Sequence, residues 1–267
     1  HPHAWDFKDA PLVYRALFGD QYFDDGLRVS VIMPTALFLE FGAEALSGRK
    51  YPAGGEQDGV GSWVAYTNIG GDIGVSHSWQ AGLSYWAADK IEREYGGHAH
   101  EGAADVEVPL FEGDSKTVGL NAIYKWAPAG NYRERNVKLQ FEYFDREDEG
   151  DLTLLNSSPL ETSTLDSRQD GWYAQATWKF ARSWRTGIRY DMLDSDNKGS
   201  DPGVLDEADL VSNGHTPKRA SVMAEWVPSE YSRIRLQYNR DDSYQVSDDQ
   251  VYLQYTFSIG SHGAHAF

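Results

Sequence analysis

Strict apolar–polar alternation recurs along this chain in segments of about nine to eleven residues, and it constrains the fold more than any other feature. In segment 136–144, Val137, Leu139, Phe141 and Tyr143 share one face, against Lys138, Gln140 and Glu142 on the other. Segment 171–180 sets Trp172, Ala174, Ala176, Trp178 and Phe180 against Tyr173, Gln175, Thr177 and Lys179. The same period recurs at 36–46, 78–88, 117–126, 184–192, 219–226, 233–239 and 251–257, and more weakly at 26–33 and 62–69. A period of two is the signature of a half-buried strand and is incompatible with a helix. About eleven antiparallel strands are expected.

Connections alternate in length. Short ones follow Met33, Ile69, Trp126, Phe180 and Trp226. Long polar loops are expected at 47–61, 89–115, 147–169 and 193–218, with a shorter one at 241–248. This is the layout of an outer-membrane barrel, with short periplasmic turns and longer outside loops.

A soluble sandwich or barrel would show the same alternation with its faces reversed. Segments of nine to eleven residues match a tilted strand crossing a bilayer, whereas soluble strands have a mode near five or six. Aromatics stand at segment ends: Trp79, Tyr85, Trp126, Tyr143, Trp172, Trp178, Trp184, Tyr190, Trp226 and Tyr238. Such placement matches the girdles at the two membrane interfaces. The expected class is all-β, an antiparallel transmembrane β-barrel of outer-membrane type occupying residues 26–267. Residues 1–25 read as a loop with a short helix, extracellular or folded into the pore.

Composition narrows the function. The 267 residues carry a net charge of −17, which argues against a nucleic-acid partner. No cysteine is present, so disulfide scaffolds and thiolate metal sites are excluded. No stretch approaches the 18 apolar residues of a spanning helix. The chain starts at His1 without Met or signal peptide, as expected of a processed protein or a fragment. Eleven strands with an outside N-terminus is an odd count, so a barrel lacking N-terminal strands is expected. The terminal Phe267 shares the register of Phe257, the form of a recognition signal for the barrel assembly machinery.

Several stretches resemble a family of Gram-negative outer-membrane proteins labelled zinc-regulated or TonB-dependent outer-membrane receptors, or porin-like proteins. They are HPHAWDFKDAPLVYRALF (1–18), GGDIGVSHSWQAGLSY (70–85), YKWAPAGNYRERNVKLQFEYF (124–144), DSRQDGWYAQATWKF (166–180), WRTGIRYDML (184–193) and GSHGAHAF (260–267). The resemblance implies a barrel in the bacterial outer membrane, in contact with lipid and lipopolysaccharide, preceded in that family by further strands. It also implies a link to zinc.

The polar face is the candidate pore lining: Arg185, Arg189, Arg233, Arg235, Lys125, Lys138 and Lys179, with Glu40, Glu44, Glu142 and Glu225. Arg28, Arg146, Arg219 and Asp191 belong to the same face, and a ring of such cations favours anions. The acidic loops instead concentrate cations. The loop pair His98 and His100, with Glu101 and Asp105, is the candidate metal site, for zinc by imidazole or for calcium by the acids. No G-x-S-x-G, H-E-x-x-H or Walker loop occurs, so an enzyme is not expected. The expected function is passage or uptake of small polar solutes or metal ions. The rival is a structural barrel that displays long acidic loops to partners.

Overall fold

A computed structural model describes residues 5–55, 58–95, 108–229 and 231–257. Eleven strands form one antiparallel sheet in chain order. They are β1 (Gly26–Ile32), β2 (Phe38–Leu46), β3 (Ser62–Ile73), β4 (His77–Glu94), β5 (Val108–Trp126), β6 (Asn136–Leu155), β7 (Glu161–Ala181), β8 (Trp184–Gly199), β9 (Lys218–Ser229), β10 (Ser232–Asp242) and β11 (Asp248–Phe257). Helix α1 (Leu12–Phe18) precedes them and α2 (Pro202–Glu207) follows β8. Among the described residues β1 and β11 do not pair, so the sheet is open between them.

The faces decide between a membrane barrel and a soluble sheet. On β10, Leu236 is 53% exposed while its neighbour Arg235 is 0% exposed. Ile188 and Leu253 are likewise exposed, and Arg189 and Arg219 are buried. Apolar side chains point away from the protein and charged ones point in, the reverse of a soluble sheet and the arrangement of a barrel in lipid. The outward aromatics meet at two levels, across strands except for Trp178 and Phe180, which are neighbours on one face of β7. Trp63–Tyr85 (5.2 Å) and Trp172–Tyr190 (5.7 Å) mark one interface, and Trp178–Phe180 (5.5 Å) and Trp184–Trp226 (6.3 Å) the other.

The strands are longer than the alternation predicts. β6 has 20 residues and β7 has 21, about 65 Å at ~3.3 Å per residue, more than the ~30 Å hydrocarbon core requires even when tilted. The expected loops 89–115, 147–169 and 193–218 are corrected accordingly, since strand occupies 89–94 and 108–115 of the first, 147–155 and 161–169 of the second, and 193–199 of the third. The reason is an inversion of polarity along each strand. On β6 the outward face continues from Val137, Leu139, Phe141 and Tyr143 into Asp145, Glu147, Glu149 and Asp151. The inward face passes from Lys138, Gln140 and Glu142 to Leu152 and Leu154, both fully buried. Outside the membrane, water replaces lipid and the outward face turns acidic. A reader of hydropathy alone sees the alternation end there.

The inward apolar residues of these extensions build a core. Ile91, Phe111, Leu152, Leu154 and Leu165 pack together beneath Val204 and Leu205 of α2. Asp201 caps α2 by accepting a hydrogen bond from Gly203 N at 2.9 Å. A buried charge cluster, in which Arg93 and Arg146 share Asp148, joins this core to the polar wall below.

Candidate functional site

Residues 5–18 lie on the inward polar face, across β6 to β10. Their acids meet the wall cations. The Asp6 carboxylate accepts from Arg185 Nη1 at 2.7 Å, Lys138 Nζ at 2.9 Å and Gln175 Nε2 at 2.9 Å. The Asp9 carboxylate lies 2.8 Å from Arg219 Nη1 and accepts from Arg189 Nη2 at 3.1 Å, Gln237 Nε2 at 2.7 Å and Asn239 Nδ2 at 3.1 Å.

Wall arginines also hold the segment's backbone. Arg235 donates to Trp5 O at 3.0 Å, Arg189 to Asp9 O at 2.9 Å, Arg219 to Ala10 O at 2.6 Å and Arg146 to Leu17 O at 3.2 Å. A segment lying on a sheet has no ladder partners for its carbonyls, and guanidinium forks supply them. The Arg189 guanidinium also stacks 4.7 Å from the Phe7 ring centroid.

Helix α1 is positioned by the same wall. Its N-cap is Pro11, which offers no side-chain acceptor. Asp191 substitutes from β8, accepting from Leu12 N at 2.9 Å. The helix ends at Gly19 in the left-handed conformation that glycine tolerates (φ 59°). Its far side is apolar and aromatic. Tyr14 and Phe18 stand edge-on to Phe144 at 5.6 and 5.1 Å, and Val13 and Leu17 are buried against the Tyr173 cluster. The Tyr14 hydroxyl donates to Glu142.

Between segment and wall remains a polar cavity of about 210 Å³, lined by Asp6, Asp9, Lys138, Glu142, Tyr173 and Arg189 among others. Burial acts to raise the Asp6 and Asp9 carboxyls. The cations outweigh it, Arg185 and Lys138 at Asp6 and Arg189 and Arg219 at Asp9, so both sit below the ordinary carboxylate value.

Of the residues the alternation marks as pore lining, Arg185, Arg189, Arg235, Lys138, Glu142 and Glu225 belong to this network or touch it. Lys125, Lys179 and Arg233 share the wall. Glu40 and Glu44 lie apart on β2, bridged by Arg28 at 3.4 and 3.7 Å. Asp6 and Asp9 are the residues that sequence reasoning missed. The available signal was a surplus of wall cations over wall acids, which had to be met from elsewhere in the chain. His98, His100, Glu101 and Asp105 lie outside the described residues, as does Phe267. Among the described residues no group of three His, Asp or Glu is placed to hold a metal. His77 Nδ1 is instead 2.6 Å from the Tyr124 hydroxyl.

Comparison with known proteins agrees with the fold. OmpTdeltaL8, a loop-deletion mutant of OmpT, an outer membrane protein of Vibrio cholerae, superposes with a TM-score of 0.54 at 12% identity, covering 96% of this chain and 69% of that one. The chain has the fold of a bacterial outer-membrane β-barrel. That fold, with the outward apolar band, places it in the outer membrane in contact with lipid. OmpT folded in vitro aligns at a TM-score of 0.48 and 12% identity, covering 92% of this chain and 60% of that one.

A protein of Aquifex aeolicus, described as uncharacterized, is 31% identical over 286 aligned positions. The match takes in all of this chain and 56% of that protein, so the chain spans about half the length of the curated relative it matches. No family model matches, and the zinc-regulated and TonB-dependent labels gain no support from these comparisons. One expectation is corrected. The missing motifs led to the exclusion of an enzyme, but the likeness is to the architecture of OmpT, and one architecture hosts unrelated activities. The exclusion is withdrawn.

Proposed function

We propose that the protein is a porin-like channel for small polar solutes, in which residues 5–18 form the constriction. One observation carries this reading: a non-strand segment is clamped on the polar wall by Asp6 and Asp9 and by arginine bonds to its carbonyls. A closed structural barrel is stabilised more simply by pairing charges strand to strand. A segment laid across the wall narrows a lumen and lines it with fixed charge of both signs, which is how pores set size and selectivity. The cavity beside Asp6 and Lys138 supplies space along that path.

The rival reading is an outer-membrane barrel that serves as a display scaffold. It is favoured by the long strand extensions, whose outward acids surround a packed core. Single-channel recording in planar bilayers separates the two. Stepwise conductance supports the channel, and its absence at every salt concentration supports the scaffold.

A further inference from the structure

We propose that the short-turn end of the inner wall is a binding site for small oxyanions of the phosphate class. This rests on the channel reading above and names the solute it selects.

The site begins with Glu225 on β9, which is 2% exposed. Three guanidiniums converge on its one carboxylate. Arg235 Nη2 is 2.7 Å away, Arg185 Nη2 is 3.0 Å away, and Arg233 Nε approaches only to 3.5 Å. Asp6 takes up part of the surplus through Arg185 and Lys138. Two further lysines stand on the same wall. Lys179 stands directly across from Arg185, and Lys125 directly across from Lys138. Like charges in directly opposed positions on one sheet face destabilise the sheet. Here two such pairs occur on the same wall, near the same turns.

A second, independent observation points to a ligand. Nε and Nη2 of Arg233 and Nη1 of Arg235 are buried and make no hydrogen bond. Buried guanidinium donors without an acceptor are costly, and native proteins rarely retain them without a purpose. The donors belong to adjacent inward positions of one strand, Arg233 and Arg235 on β10, with Arg185 sharing their carboxylate. A tetrahedral oxyanion presents several strong acceptors to such planar forks and neutralises the surplus charge. A chloride ion would answer the charge but leave the forked donors poorly matched.

Inorganic phosphate is the probe. In a bilayer recording at fixed chloride, added phosphate should reduce the chloride current in a saturable way. Arg233→Gln should raise the half-blocking phosphate concentration roughly tenfold, the value of one charge-assisted hydrogen bond. Lys179→Gln should raise it by a smaller factor. Arg168→Gln removes the same charge from the outward face, where Arg168 pairs with Asp145, and should leave block unchanged. A current that phosphate does not block, or block weakened equally by Arg168→Gln, overturns the oxyanion site while the channel stands. Absence of current overturns the channel. Calorimetric titration of phosphate into the detergent-solubilised protein then reads the site alone: saturable binding lost in Arg233→Gln supports it, and no binding refutes it.

Discussion

Asp9 holds Arg219 at 2.8 Å across 210 positions of chain. Arg219 is 1% exposed and its Nη2 donates to Ala10 O, next to Asp9. The pair is one of the two carboxylate anchors between the inward segment and the wall, beside Asp6 with Arg185. Asp9→Asn removes one of the two carboxylates that Arg189 and Arg219 share, leaving Asp191 between them. Breaking a buried pair from one side costs about 3 kcal/mol. The expected outcome is release of the segment rather than unfolding of the strands. Trypsin should then cut after Lys8 and Arg15 in the variant and spare both in the parent.

The docking of the segment should resist acid. Both carboxyls are held below their ordinary value of 3.8 by the wall cations. A depressed value in the docked state means the stabilisation is complete above about 3.8 and is lost only as pH falls through the lower, docked value. Asp6 faces Lys138, Gln175 and Arg185, and Asp9 faces Arg189, Arg219, Gln237 and Asn239. No imidazole is among these partners. Conductance should therefore be flat between pH 7 and about 4 and change below that. A transition centred near pH 6 would mean that another group controls the segment.

The polarity inversion locates the membrane boundary. Leu139→Arg puts a charge within the outward apolar band and should destabilise the barrel by about 2–4 kcal/mol. Glu147→Arg, on the same face of β6 but beyond the inversion, should cost under about 1 kcal/mol. Urea unfolding in lipid vesicles measures both. Equal costs would place the boundary elsewhere.

Much of this was legible in the residues. All eleven strands lie where period-two alternation put them, because lipid on one side and polar wall on the other impose opposite preferences at adjacent positions. The upper half of β5 to β8 was not legible. There Glu147 and Glu149 face water while Leu152 and Leu154 face a core, so the alternation changes sign and reads as an acidic loop. The wall cations were visible by parity, but Asp6 and Asp9 were not. A loop carries no periodicity to say what it faces, and their partners are 129 or more positions away in sequence for every wall hydrogen bond of this segment except those involving Glu142.

Tryptophan depth gives an independent check. Trp172, Trp178, Trp184 and Trp226 stand on the outward face, whereas Trp86 is 6% exposed on the inner side, donating to the Tyr22 hydroxyl at 2.9 Å. In single-tryptophan variants, lipids brominated on their acyl chains should quench the outward residues strongly and Trp86 weakly. Strong quenching of Trp86 would reverse the assignment of the faces.

The most direct measurement is single-channel conductance of the protein beside its Asp6→Asn, Asp9→Asn double variant, in the same bilayer and salt. A constriction made by residues 5–18 predicts discrete steps in the parent and larger or noisier steps in the variant, with phosphate block altered in parallel because Asp6 shares Arg185 with Glu225. Steps of identical size in both proteins would contradict it, since the segment would then lie outside the path of the ions.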